Sequence, residues 1–252
     1  MNSVEESFAV GQAILASRSA KSRKAAGQFL TPPQLARYLA RQIGPVRDGA
    51  YILDPAVGSG VLLCAVIERL LQEGFNGTVY LTGFEVDSEL AEAAQKVLTS
   101  MQNETEHREL QVVISLFETD FVLNGIRHVR PSLLDAPVGE AGFDHIIANP
   151  PYFKINRADP RTKAATDCVP GSTNIYTLFM SLATRLLNPD GRGSFIVPRS
   201  FCSGAYFKRF RDDFLESAQP LHIHLFDQRD NAFRGDAILQ ENLVFTFRQQ
   251  SS

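Results

Sequence analysis

The sequence predicts an α/β fold: a doubly wound, mostly parallel, seven-stranded sheet with an antiparallel end. Three observations carry that expectation. Short apolar runs bounded by glycine, proline or acidic residues alternate with longer stretches of helical period. A glycine-rich turn follows the first of these runs directly. The last two runs lie close together in the chain, as a terminal antiparallel pair would. Strands that alternate with helices call for a parallel sheet covered on both faces.

The elements follow in order. Residues 1–26 read as an amphipathic helix carrying Phe8, Ile14 and Leu15, running into a basic, small-residue stretch over 17–26. Thr31 reads as the cap of the next helix, with Pro32 and Pro33 in its first turn and Leu35, Tyr38, Leu39 and Ile43 at helical spacing. That helix ends near Gly44 and Pro45. A buried strand is expected over 51–54, a helix over 61–73, a strand over 79–85 and a helix over 88–101. Strands follow over 111–116 and 143–148, then a helix over 176–187. The turn Asn188-Pro189-Asp190-Gly191 leads into a strand over 193–198, a helix over 205–216, and final strands over 222–226 and 242–247. Segments 121–142 and 153–173 read as loops, and loops that long in a compact domain point to function.

Composition excludes several classes. The chain has 252 residues, 44% of them hydrophobic and 21% charged, with a net charge of -3. This is the profile of a soluble domain with a substantial core. No apolar run reaches the roughly 20 residues needed to span a bilayer, and residues 1–10 lack the apolar segment of a secretory signal. A cytoplasmic protein with no membrane partner is expected. Cys64, Cys168 and Cys202 are scattered without a CxxC pair, so no structural metal or disulfide framework is expected. A slightly acidic chain can still bind nucleic acid, because a basic cleft can be offset by acid elsewhere.

Four motifs carry chemistry. Asp54-Pro55-Ala56-Val57-Gly58-Ser59-Gly60 sits between a strand and a helix, where ligands of doubly wound sheets bind. Gly58 and Gly60 would let a ligand approach the backbone, and the backbone at Ala56 would line the pocket. The turn is neither GxGxxG nor GxxxxGK[ST]; read alone, it is also a plain strand-to-helix turn. Glu85, with Val86 beside it, closes the second strand and could accept both hydrogen bonds of a ribose diol, while Asp87 suits the cap of the following helix. Asp120 after the third strand could accept from an adenine amino group, with Phe121 over the ring; an aspartate there is also an ordinary turn residue. Asn149-Pro150-Pro151-Tyr152 ends the fourth strand. Two prolines remove two backbone donors, leaving the Asn149 side-chain oxygen and the Pro150 carbonyl as acceptors for the two hydrogens of a planar amine. Tyr152 offers a flat surface for its ring.

With these motifs in this order, the chain resembles the gamma-class N6-adenine DNA methyltransferases of restriction–modification systems. Gly27-Gln28-Phe29-Leu30-Thr31-Pro32-Pro33 looks like their N-terminal cofactor segment, 174–179 and 193–198 like their later helix and strand motifs, and Asn231-Ala232-Phe233 like the segment that stacks on an extruded base. Phe226 competes with Phe233 for that last role. The resemblance implies a Rossmann-like class I fold, S-adenosyl-L-methionine as cofactor, duplex DNA as partner and a flipped adenine as substrate. It implies catalysis by Asn149, Pro150, Pro151 and Tyr152. Phe29 and Thr31 would close over the methionine end of the cofactor. Pro55, Val86 and Pro151 would join the cofactor wall with Asp54, Ala56, Gly58, Gly60, Glu85, Asp120, Phe121 and Asn149. Residues 27–250 would form the catalytic domain after an N-terminal extension over 1–26. The recognition domain such enzymes carry would lie outside this chain or on a separate specificity subunit. Lys21, Arg23, Lys24, Lys154 and Arg157 are candidate phosphate contacts and equally suit a solvated surface.

Two other classes share some of these features. A protein-glutamine N5 methyltransferase acting on a release factor uses the same tetrapeptide, because a glutamine amide presents the same NH2 geometry; an RNA-guanine amino methyltransferase is a lesser rival. The segment 27–33 and the long stretch after the turn speak against them. A non-catalytic module that binds cofactor or DNA would not need an intact Asn149 turn.

Overall fold

The computed structural model describes residues 3–19, 29–106, 108–129, 142–156, 158–165, 174–226 and 242–250. Seven strands form one sheet: β1 (Ala50–Asp54), β2 (Gly77–Glu85), β3 (Leu110–Glu118), β4 (Phe143–Ala148), β5 (Leu187–Pro198), β6 (Ala218–Leu225) and β7 (Asn242–Gln249). Their spatial order is β3-β2-β1-β4-β5-β7-β6. Pairs from β3 through β5 are parallel, and β7 runs antiparallel to both β5 and β6. The predicted fold class is the one observed, with β7 inserted inside β6.

Helices cover both faces. On one lie α1 (Ser3–Ala16), α2 (Pro33–Gln42), α3 (Val61–Gln72) and α4 (Ser88–Thr105), sharing a core with Ile52, Val79, Leu81 and Ile147 of the sheet. On the other, α7 (Ile175–Leu186) and α8 (Lys208–Ser217) bury Tyr176, Met180, Phe210 and Phe214 against Leu53, Ile146, Phe195 and Phe247. Because α7 is apolar around most of its circumference, it lies at the centre of that layer.

α1 is built into the core. Val4 and Ser7 are fully buried, and Leu15 nearly so. Arg37 of α2 donates to Glu5 of α1 and to Glu68 of α3, both at 2.8 Å. Burying Val4 and Leu15 contributes about 1.5–3 kcal/mol each, against about 0.2–1 kcal/mol for a part-exposed ion pair, so packing seats the helix and Arg37 sets its register.

Three local expectations are corrected. Thr31 does not cap α2: the cap position is Pro32, without a side-chain hydrogen bond, and the Thr31 hydroxyl points elsewhere. Segment 121–142 is not all loop, because α5 (Phe121–Val129) occupies its first part, and 153–173 contains the short helix α6 (Pro160–Ala165). The turn 188–191 is absorbed into β5 as a bulge, where Asp190 takes a φ of 63° and the pairing slips between Phe143 and His145.

The topology fixes where a ligand can sit. β1 is flanked by β2 on one side and β4 on the other, so chain order reverses there, and crevices at such switch points open beyond the carboxyl ends of the strands. Leu53 pairs with Ile146, which brings the turns after β1 and β4 side by side.

Candidate active site

A cleft with ≈ 950 Å³ of empty volume, its open mouth included, lies at this switch point. Its floor is the turn after β1, where Pro55, Ala56 and Gly58 face the space. Gly58 has a φ of 55°, and a Cβ added there would meet only Leu30 Cδ2 at 3.8 Å, so the backbone is bare toward the cleft. Gly60 serves a different purpose from the one expected. Its φ of 98° starts α3, and an added Cβ would meet Ala94 and Leu98 of α4 at 3.5 Å, so it permits helix packing. Asp54 is fully buried and does not line the cleft. Its Oδ1 accepts the Ala56 N–H at 3.1 Å, which shapes the turn, and Oδ2 has no partner among the described residues. Burial pushes its carboxyl up to about 8.

Glu85 ends β2 and faces the cleft with Val86. Its Oε2 accepts from Gly58 N–H and its Oε1 from the Val86 and Asp87 N–H groups, all at 2.9 Å. These bonds lock the carboxylate plane and leave one lone pair, on Oε2, for a ligand. Burial raises the Glu85 carboxyl above its usual range, while the backbone donors oppose that rise. Asp87 caps α4 by accepting Leu90 N–H at 3.2 Å, as its position implied. Arg18, just past α1, donates to Asp87 Oδ1 at 2.9 Å and pairs with Glu89. Asp120 caps α5 through Oδ1, 3.1 Å from Leu123 N–H, and lines the far end of the cleft with Phe121.

The turn after β4 enters the same cleft through Asn149 and Pro151, while Pro150 is buried. Asn149 is held on both sides of its amide. Nδ2 donates to the Phe29 carbonyl at 2.9 Å and to Thr31 Oγ1 at 3.0 Å, and Oδ1 accepts the Tyr152 hydroxyl at 2.6 Å. A backbone carbonyl only accepts, so the nitrogen must face Phe29 and the amide orientation is fixed. The Tyr152 hydroxyl also approaches the Ile196 carbonyl at 2.9 Å, so its one proton is shared between two acceptors.

Tyr152 is placed differently from the open platform expected. Phe29 stacks against its ring at 5.9 Å and Tyr176 meets it edge-on at 6.3 Å. Its neighbour Phe153 lines the cleft in its place. Phe153 directly follows the tetrapeptide, and its place in the cleft wall is set by the fold. Leu30, Phe84, Arg161 and Phe179 also line the wall; Leu30 and Phe179 fall within the segments 27–33 and 174–179 that carry the resemblance, whereas Arg161 belongs to no motif. Leu15 was visible only as part of the apolar face of α1. Phe233, Lys21, Arg23, Lys24 and Arg157 lie outside the described residues, and Lys154 is exposed.

A family model described as the Eco57I restriction-modification methylase matches residues 67–233, which include Glu85, Asp120 and the Asn149 turn. The chain belongs to this family. Among curated relatives of this Eco57I-type methylase, the type II methyltransferase M.BsuBI of Bacillus subtilis is 32% identical over 89% of the chain and 44% of its own length. M.PstI of Providencia stuartii is 28% identical over 88% of the chain and 43% of its length. The chain therefore spans less than half of either relative. A solved structure from Listeria monocytogenes, titled a class I S-adenosylmethionine-dependent methyltransferase, superposes with a TM-score of 0.64 at 19% identity, covering 89% of this chain and 62% of its own. That likeness establishes the fold class.

Proposed function

We propose that this domain transfers a methyl group from S-adenosyl-L-methionine to the exocyclic N6 amino group of an adenine extruded from duplex DNA, as the modification arm of a restriction–modification system. One observation carries the proposal: the acceptor-rich Asn149 turn and the glycine-rich turn open into a single cleft. The residues present suit the donor. Gly58 leaves room for a ligand against the backbone, Glu85 offers its remaining Oε2 lone pair to a ribose hydroxyl, and Asp120 and Phe121 offer an acceptor and a ring face to an adenine. The M.BsuBI and M.PstI names support the restriction–modification setting.

The donor, once bound, supplies an electrophilic methyl on a cationic sulfur. The protein supplies position and polarisation. Asn149 Oδ1 keeps a lone pair beyond its bond to Tyr152, and with the Pro150 carbonyl it accepts the two amine hydrogens. This draws the nitrogen lone pair out of ring conjugation and aims it into the cleft. One amine hydrogen leaves as a proton once the new carbon–nitrogen bond has formed. Extruding the base costs a few kcal/mol, which aromatic contacts in the pocket offset. Phe233 and Tyr152 are assigned to the two faces of the base, which requires Phe29 to yield its place on Tyr152.

In this proposal the catalytic domain is 27–250, with α1 adding Leu15 to the donor wall, and sequence choice comes from a further domain or a specificity subunit. The test is Asn149→Ala. Methyl transfer should fall at least about 100-fold, while S-adenosylhomocysteine binding stays within about threefold, because Asn149 touches the amine and not the bulk of the donor. Equal loss of both would remove Asn149 from its role.

A further inference from the structure

Beyond the Asn149 turn, α6 brings a guanidinium into the cleft. The side chain of Arg161 is 26% exposed. Its Nε and Nη2 donate to the two oxygens of Asp159 at 2.9 and 2.8 Å, a bidentate fork that fixes the plane of the group. Asp159 Oδ1 also accepts the Arg161 backbone N–H at 2.9 Å, so the carboxylate is itself anchored. With the fork made, Nη1 lies 3.6 Å from Asp120 Oδ2, and the guanidinium sits over the Phe153 ring, 5.4 Å from its centroid. Asp120, Phe153 and Arg161 all line the cleft.

Asp120 Oδ1 is committed to the cap of α5, so Oδ2 is the oxygen left for a ligand. A separation of 3.6 Å is an ion pair and not a hydrogen bond, which leaves the lone pairs of Oδ2 open. We infer that Arg161 is a positioning and specificity-determining residue for the purine end of the donor. It turns Asp120 Oδ2 toward the cleft and braces the Phe153 ring beside it. The inference rests on the cleft being the donor site. A carboxylate oxygen held there accepts from an exocyclic amino group and repels a ring carbonyl, so the site selects an adenine-type over a hypoxanthine-type ligand. Arg161 acts through Asp120 and Phe153 and needs no contact of its own with the reacting atoms.

The test is calorimetric binding of S-adenosylhomocysteine and of S-inosylhomocysteine to the whole chain. The wild-type protein should prefer the adenine form. Arg161→Met should weaken the adenine form about tenfold and the inosine form less than about twofold, so that the preference narrows. Arg161→Lys keeps the charge without the planar fork and should fall between the two; it also serves where the methionine variant folds poorly. A methionine variant that weakens both ligands equally, or neither, would overturn the inference while leaving the donor site standing. A wild-type chain that binds neither ligand would remove the donor site itself, and the inference with it.

Discussion

Both amide atoms of Asn149 have partners before any substrate arrives, one set from the N-terminal segment and the other from the turn itself. Phe29 and Thr31 hold the nitrogen, and Tyr152 holds the oxygen. The motif Asn149 to Tyr152 was legible in the sequence, because two prolines after a buried strand leave few other uses for an asparagine. The Thr31 bond was not legible. It spans the fold, whereas the cap assigned to Thr31 was a local pattern, and the tertiary partner won. Asp54 was visible as part of the glycine-rich motif, yet its use in shaping the turn follows only from complete burial.

That burial gives a pH dependence. The unfolded chain releases the Asp54 proton near pH 4, and the folded chain holds it to about 8. Between those values the folded state binds more protons, so stability falls as pH rises through the window. His145 works in the opposite sense. Burial pulls its imidazole down from 6.5 to about 4, which costs stability only as pH falls below about 6.5. The interval from 6.5 to 8 therefore isolates the carboxyl. Asp54→Asn keeps the acceptor for Ala56 and should flatten the decline in melting temperature across it. An unchanged slope in thermal unfolding at several pH values would contradict the assignment.

At the scale of elements, all seven strands were legible because each is a short apolar run closed by turn residues. α5 was missed. Its segment was read as loop, but Phe121 packs on Phe84 and Phe179, and that tertiary burial seats the helix. The bulge in β5 was read as a turn for a similar reason: its sequence is a turn sequence, and the sheet continues past it. Gly193 shows how tightly that strand is packed. A Cβ there would lie 2.4 Å from the Phe247 ring, whose own position is fully buried. Gly193→Ala should cost about 1–3 kcal/mol by overpacking, read by chemical denaturation, with donor affinity unchanged because the site lies elsewhere. A neutral substitution would mean that Phe247 can yield.

At the scale of the whole molecule, the sheet order places the cleft. β1 between β2 and β4 brings separate stretches of sequence to one crevice, among them 29–30, 55–58, 84–86, 119–121 and 149–151. Sequence order alone hinted at this, because each stretch follows a strand or precedes a helix, but the hand-to-hand contact of Phe29 with Tyr152 depends on how α1 and α2 pack. The chain spans less than half of M.BsuBI and M.PstI, and on the proposed reading the methyl-transfer step belongs to this cleft. The most direct measurement is transfer of a labelled methyl group from S-adenosyl-L-methionine to DNA, RNA and protein offered in parallel, followed by identification of the modified residue. Label recovered as N6-methyladenine in DNA is the expected result; label in glutamine, in RNA or in no polymer would contradict it.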